Sequence, residues 1–91
     1  MFFSFTPAFS RQVEKLDPQV KWAAQETIAS VVRFYKFREK TPGLGIKRLR
    51  REVWEARSGL RIRILYRLEG DSVCFVVAGT HGDVKRFLAS L

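Results

Sequence analysis

The chain has 91 residues, 46% of them hydrophobic, and its seventeen Lys+Arg against nine Asp+Glu leave a net charge of +8. That length fits one domain, 1–91, with a single modest core, and no run approaches the roughly 18–20 apolar residues of a membrane helix. The single cysteine, Cys74, excludes an internal disulfide, and the positive balance points to nucleic acid, an acidic protein or an anionic surface as partner.

Phe2 to Phe5 is a short aromatic run that reads as a first strand. It carries neither a basic n-region nor a cleavage site, so it is not read as a signal peptide, and a cytoplasmic location is expected. Thr6-Pro7 is a helix start, a cap residue followed by proline at the first helical position, and this helix should run to about Leu16. Asp17-Pro18 repeats the signal. A longer helix then extends to about Arg38, with Val20, Ala24, Ile28, Val31, Val32 and Tyr35 on one buried face. Together the two make a helical hairpin. Thr41-Pro42-Gly43-Leu44-Gly45 breaks the pattern.

Residues 46–49, 53–57, 60–69 and 72–80 read as strands. Ser58-Gly59 and Gly70-Asp71 supply tight turns, so these strands form an antiparallel meander. Gly82-Asp83 opens a last short helix from Val84 to Leu91. Trp54, Phe75 and Val77 are expected in the core, as is Cys74, which lies in an apolar run. The expected architecture is α+β: an N-terminal strand and a helical hairpin packed on an antiparallel meander, with a short C-terminal helix.

The most informative stretch is Leu60 to Leu68, which alternates strictly. Leu60, Ile62, Ile64, Tyr66 and Leu68 should point one way, and Arg61, Arg63, Leu65 and Arg67 the other. A solvated face usually mixes both signs. One of arginines alone suits an anion, because a planar guanidinium grips phosphate through two N–H groups. Arg57 and Arg63 flank the turn on adjacent strands, where both can reach one phosphate. Lys47, Arg48, Arg50 and Arg51 are either a basic RNA-contacting patch or a solvated edge whose charges discourage strand addition. Lys85 and Arg86 extend the basic surface onto the last helix. His81, the only histidine, falls where the last strand meets the last helix, and it is the one side chain that titrates near neutral pH unperturbed. No Cys/His cluster suggests zinc, Gly43-Leu44-Gly45 is no dinucleotide or phosphate-loop fingerprint, and no serine stands in a hydrolase context. No cofactor or metal is implied.

The element order, Trp54-Glu55-Ala56-Arg57, Arg63-Ile64-Leu65-Tyr66, Glu69-Gly70-Asp71 and a polar residue ending the last strand resemble the RelE/ParE-like toxins of type II toxin–antitoxin systems. The resemblance covers nearly the whole chain and is most specific from Trp54 to Asp71. It implies a microbial RNase fold, an acidic antitoxin partner, no membrane, and, in the RelE branch, metal-free endonucleolytic cleavage of messenger RNA on the ribosome, the action of an mRNA interferase. In that chemistry the 2′-hydroxyl attacks the neighbouring phosphate. Arg63 matches the arginine that stabilises phosphate, Arg57 falls near a basic residue serving the same site, and His81 matches the histidine that YoeB-like members use as acid or base. RNA contacts would come from Lys47, Arg48, Arg50, Arg51, Arg61, Arg67, Lys85 and Arg86. The chain departs from the pattern at Gly82, where YoeB-like members have tyrosine. It departs again at Phe87 or Leu88, near the C-terminal tyrosine of RelE-like members, and at Glu55 and Arg57, where many have lysines. The ParE branch shares the fold but poisons DNA gyrase, so gyrase stands as the alternative target.

Overall fold

The computed structural model describes residues 1–91. Chain order is β1 (Phe2–Phe5), α1 (Pro7–Glu14), α2 (Pro18–Phe37), β2 (Ile46–Arg48), β3 (Val53–Ser58), β4 (Ile62–Glu69), β5 (Ser72–Gly79) and α3 (His81–Ala89). The five strands form one sheet in the order β1-β5-β4-β3-β2. β2 to β5 are an antiparallel meander, as expected, and β1 adds to β5 in parallel. No helix is long and apolar enough to cross a membrane.

Local chemistry sets the helix limits. Thr6 Oγ1 accepts from the Phe9 backbone N–H at 3.1 Å, and Pro7 occupies the first turn of α1, where it costs no hydrogen bond. α1 stops at Glu14, short of Leu16, because Pro18 forces the residue before it, Asp17, into an extended conformation (φ −57°, ψ 149°). α2 ends on Arg38, held left-handed at φ 59°.

α1 and α2 cover one face of the sheet. Phe9, Val13, Ala24 and Val31 pack there on Ala56, Ile64, Tyr66, Val73 and Phe75. Inside this layer the hydroxyls of Tyr35 and Tyr66 share a 2.8 Å hydrogen bond, so the polar end of a fully buried tyrosine has a partner. α3 covers part of the other face. Its Val84 joins Val53, Leu65 and Val77 in a second, smaller core, with Phe87 and Leu88 against it.

Two features of the sheet differ from the sequence-based reading. First, the β4–β5 register shifts between Leu65 and Tyr66: Leu65 pairs with Val77 and Tyr66 with Phe75, so Val76 is an extra residue on β5. Val73, Phe75 and Ala78 thus share the helix-covered core while Val77 enters the second one. Second, the turn after β3 takes three residues, Gly59 to Arg61, because Ser58 pairs with Ile62. Leu60 and Arg61 are therefore turn residues and not strand residues. Leu60 is fully solvent-exposed, opposite to its expected place on the apolar face.

α3 begins at His81, three residues earlier than expected. Thr80 and Asp83 form a reciprocal capping box: the Asp83 N–H reaches Thr80 Oγ1 at 3.4 Å, and the Thr80 N–H reaches Asp83 Oδ2 at 2.8 Å. Gly79 permits this close turn, since a Cβ there would collide with the Asp83 side chain.

Candidate active site and nucleic-acid interface

Strand pairing brings the principal candidates into one row on the face shared with α3. Arg57 lies directly opposite Arg63, and Arg63 lies opposite Gly79. His81 follows Gly79 by two residues, in the first turn of α3, and its side chain is exposed. Arg57, Arg63 and Gly79 thus form one row across three strands, and His81 follows two residues beyond its end. Directly opposed residues of neighbouring strands lie about 5 Å apart, a spacing that lets Arg57 and Arg63 approach one phosphate.

The next row along the same face is Lys47, Glu55, Leu65 and Val77. Glu55 is buried, and Arg63 Nη1 donates to both its carboxylate oxygens at 3.3 Å. The Glu55 side chain is 6% exposed and that of Arg63 20%. The pair is thus largely out of water, where the attraction is strong and a lone partner would be costly. Glu55 was missed as a functional residue in the sequence. Its signals there were its place two residues before Arg57 on an alternating strand and its standing where many of the resembled toxins have lysine; what marks it out is burial against Arg63.

The face is less uniformly cationic than its alternation suggests. Leu65 divides it and is buried beneath α3. Arg67 lies beyond Leu65, opposite Val53 and Cys74, and reaches Glu69 at 3.8 Å. Arg61 is in the turn after β3. The remaining basic residues sort by what they touch. Arg48 points to the opposite face, where its guanidinium lies 5.9 Å from the Trp54 ring and donates to the Arg50 and Arg51 carbonyls at 2.7–3.2 Å. It ties down the β2–β3 connection, and Arg50 helps by donating to the Leu49 carbonyl at 3.0 Å. Arg51 and Lys85 are exposed, and Arg86 pairs with Asp83. Lys47 is exposed on the Glu55 side of β2. None of the five main surface depressions includes Arg63 or His81 in its lining, so the row is an open shelf and not a pocket.

Asp83 is held below its usual carboxylate range, first by the Thr80 backbone N–H, against the opposing effect of burial, with further help from the Thr80 hydroxyl and Arg86. This fixes the start of α3, and with it the place of His81.

A meander with a helical hairpin on one face and a short helix over the other matches RelE-like toxin folds. No family model and no curated protein matches the sequence. Solved structures do match. The RelBE2 toxin–antitoxin complex from Mycobacterium tuberculosis aligns at TM-score 0.65 and 25% identity, covering 88% of this chain and 96% of that one. The RelB–RelE antitoxin–toxin complex from Methanococcus jannaschii aligns at 0.68 and 13% identity, covering 91% and 95%. A YoeB/ParE toxin from Agrobacterium tumefaciens aligns at 0.64 and 22% identity, covering 89% and 99%. The chain thus shares the fold of the RelE/ParE-like toxins found in these structures.

Proposed function

We propose that residues 1–91 act as one toxin domain, a ribosome-dependent mRNA endoribonuclease that works in the cytoplasm and is silenced by a cognate, acidic antitoxin. The observation that carries this reading is the row Arg57–Arg63–Gly79 with His81 just beyond it and Glu55 bonded to Arg63. These are the groups that metal-free cleavage of RNA needs. The Glu55 carboxylate takes the proton of a 2′-hydroxyl as that oxygen bonds to phosphorus. Arg63, released from Glu55 as the carboxylate is protonated, and Arg57 meet the charge that grows on the phosphoryl oxygens. A protonated His81 gives its proton to the 5′-oxygen as the P–O bond breaks. The products are a 2′,3′-cyclic phosphate and a free 5′-hydroxyl.

The open shelf suits a template that is itself held on a large particle, since a shelf without walls gives little positioning of its own. The antitoxin expectation is supported by the solved relatives from M. tuberculosis and M. jannaschii, both of them toxin–antitoxin complexes. For the ParE-like alternative, a gyrase inhibitor, an apolar C-terminal helix free to grip a partner would be the expected feature. Here Val84 is buried, and Phe87 and Leu88 pack on the second core.

The test is induction in cells with translation and DNA supercoiling measured separately, followed by cleavage on programmed ribosomes. Translation arrest with cut messenger RNA supports the reading. Intact messenger RNA with inhibited gyrase replaces it with the ParE-like one.

A further inference from the structure

Two depressions at the margin between the helical hairpin and the sheet share Val20, Arg61 and Ile62, and so run together as one groove. The first, of about 240 Å³, includes Lys15, Leu16, Asp17 and Thr80. The second, of about 270 Å³, includes Gln19, Ala23, Ser58 and Leu60. The groove therefore leads from the residue before His81, past the corner between α1 and α2, to the turn that joins β3 to β4.

Its floor is apolar and its polar groups are unmet. Leu16, Val20, Ala23 and Ile62 line it, Leu60 at the turn is fully exposed, and Trp22, a neighbour of Gln19 on the α2 surface, is 65% exposed. Large apolar side chains left in water around one groove mark an interaction surface. Strand alternation turns Ser58 to the α2 side with Ala56, toward the second depression. Ser58 is 5% exposed, and its hydroxyl is the only buried side-chain polar atom without a hydrogen-bond partner. Such a group costs stability until a partner reaches it. Lys15 and Arg61 make no ion pair within the chain, against one carboxylate, Asp17, along the groove. A nucleic-acid backbone has no use for the apolar floor, whereas an acidic segment with an apolar anchor suits floor and rim together.

We propose that this groove receives an extended segment of an acidic protein partner. One apolar side chain of the segment seats among Val20, Trp22 and Leu60, a main-chain carbonyl accepts from the Ser58 hydroxyl, and carboxylates face Lys15 and Arg61. A segment leaving the groove at Thr80 emerges beside His81, from where it can continue over the Arg63 row. That this partner is the antitoxin rests on the toxin–antitoxin reading; the chemistry of the groove does not.

The test uses the full chain and reads binding, not cleavage. Backbone amide resonances are followed with three probes: a synthetic peptide of alternating leucine and glutamate, the same peptide with lysine for glutamate, and a short single-stranded RNA whose 2′-hydroxyls are methylated so that it cannot be cut. Saturable shifts at residues 15–23 and 58–62 that are larger with the glutamate peptide than with either other probe support the proposal. No shift there with that peptide, or shifts as large with the lysine peptide or the RNA, overturn it. Leu60→Ser, whose parent side chain is fully exposed, should keep the folded spectrum and bind the glutamate peptide about fivefold more weakly. Arg61→Glu should weaken binding roughly tenfold, and the difference should shrink at high salt. Ser58→Ala should raise the urea midpoint of the free chain, because the unmet hydroxyl is gone, and yet weaken the peptide by roughly threefold. Parent-like binding by both Leu60→Ser and Arg61→Glu also overturns the proposal. Failure of the antitoxin reading shows separately, as growth arrest that no acidic protein encoded beside the chain relieves, with peptide binding intact.

Discussion

Arg63 and Glu55, diagonal neighbours on adjacent strands, form an ion pair in which one guanidinium nitrogen faces both carboxylate oxygens at 3.3 Å. In the proposed mechanism the pair supplies an anion-binding arginine and a proton acceptor at one point, and it would couple stability to function.

Removing one partner strands the other. Arg63→Ala leaves the buried Glu55 carboxylate alone and is expected to cost about 1–3 kcal/mol in urea unfolding. Adding Glu55→Gln should restore part of that loss, because the stranded charge is gone. A double variant no more stable than Arg63→Ala would mean that the pair is not coupled.

Function should respond differently. Arg63→Ala is expected to lower messenger RNA cleavage by about 10²–10³, and Glu55→Gln by about 10²–10⁴, since an amide cannot take a proton. Growth arrest on induction should be relieved in both while the spectrum stays folded. A fully toxic Arg63→Ala would falsify the proposed nuclease site.

His81 is tested by single-turnover cleavage on programmed ribosomes. His81→Ala should lose roughly 10²–10⁴ in rate, and His81→Gln should not recover it, because an amide hydrogen-bonds without exchanging a proton. Equal rates in all three proteins would remove the imidazole from the mechanism and leave positioning by Arg57 and Arg63.

The start of α3 should weaken in acid. Asp83 lies below its usual 3.8 chiefly through the Thr80 N–H. A depressed carboxylate contributes stability above its unfolded value, and the contribution disappears as pH falls through the lowered one. The acid limb of the stability profile, below about pH 4, should therefore flatten in Asp83→Asn. Gly79→Ala, whose new Cβ meets Asp83, should cost about 1–3 kcal/mol at neutral pH. A profile unchanged by Asp83→Asn would show that the capping box adds nothing.

The alkaline limb belongs to the tyrosine pair. Tyr66 is held well above its usual 10.0, first by burial and then by its bond to Tyr35. A raised value contributes stability that is present below the unfolded pKa and is lost as pH rises past it, here above about pH 10. Phenolate absorbance from Tyr66 should thus appear only with unfolding, and Tyr66→Phe should flatten this limb. Titration of both tyrosines near pH 10 in the folded chain would contradict it.

The sequence by itself determined the elements and their order, because each is written in short-range chemistry. Thr6-Pro7 and Asp17-Pro18 start the two helices, Gly70-Asp71 turns β4 into β5, and the alternation from Ile62 to Leu68 places one face of β4 in the core. The sequence set Arg57 and Arg63 on either side of a turn, but their direct pairing depended on that turn taking three residues and not two. Tertiary structure decided what the sequence left open. The bulge at Val76 falls in an apolar run whose periodicity carries no sign of it, and the burial of Leu65 under α3 depends on contacts with Val84. The Thr80–Asp83 capping box lay hidden behind Gly82-Asp83, which looks like a helix start in its own right. Glu55 reads in sequence as one more charge on a strand. Only the folded sheet, by drying it against Arg63, makes it the carboxylate on which the proposed chemistry turns.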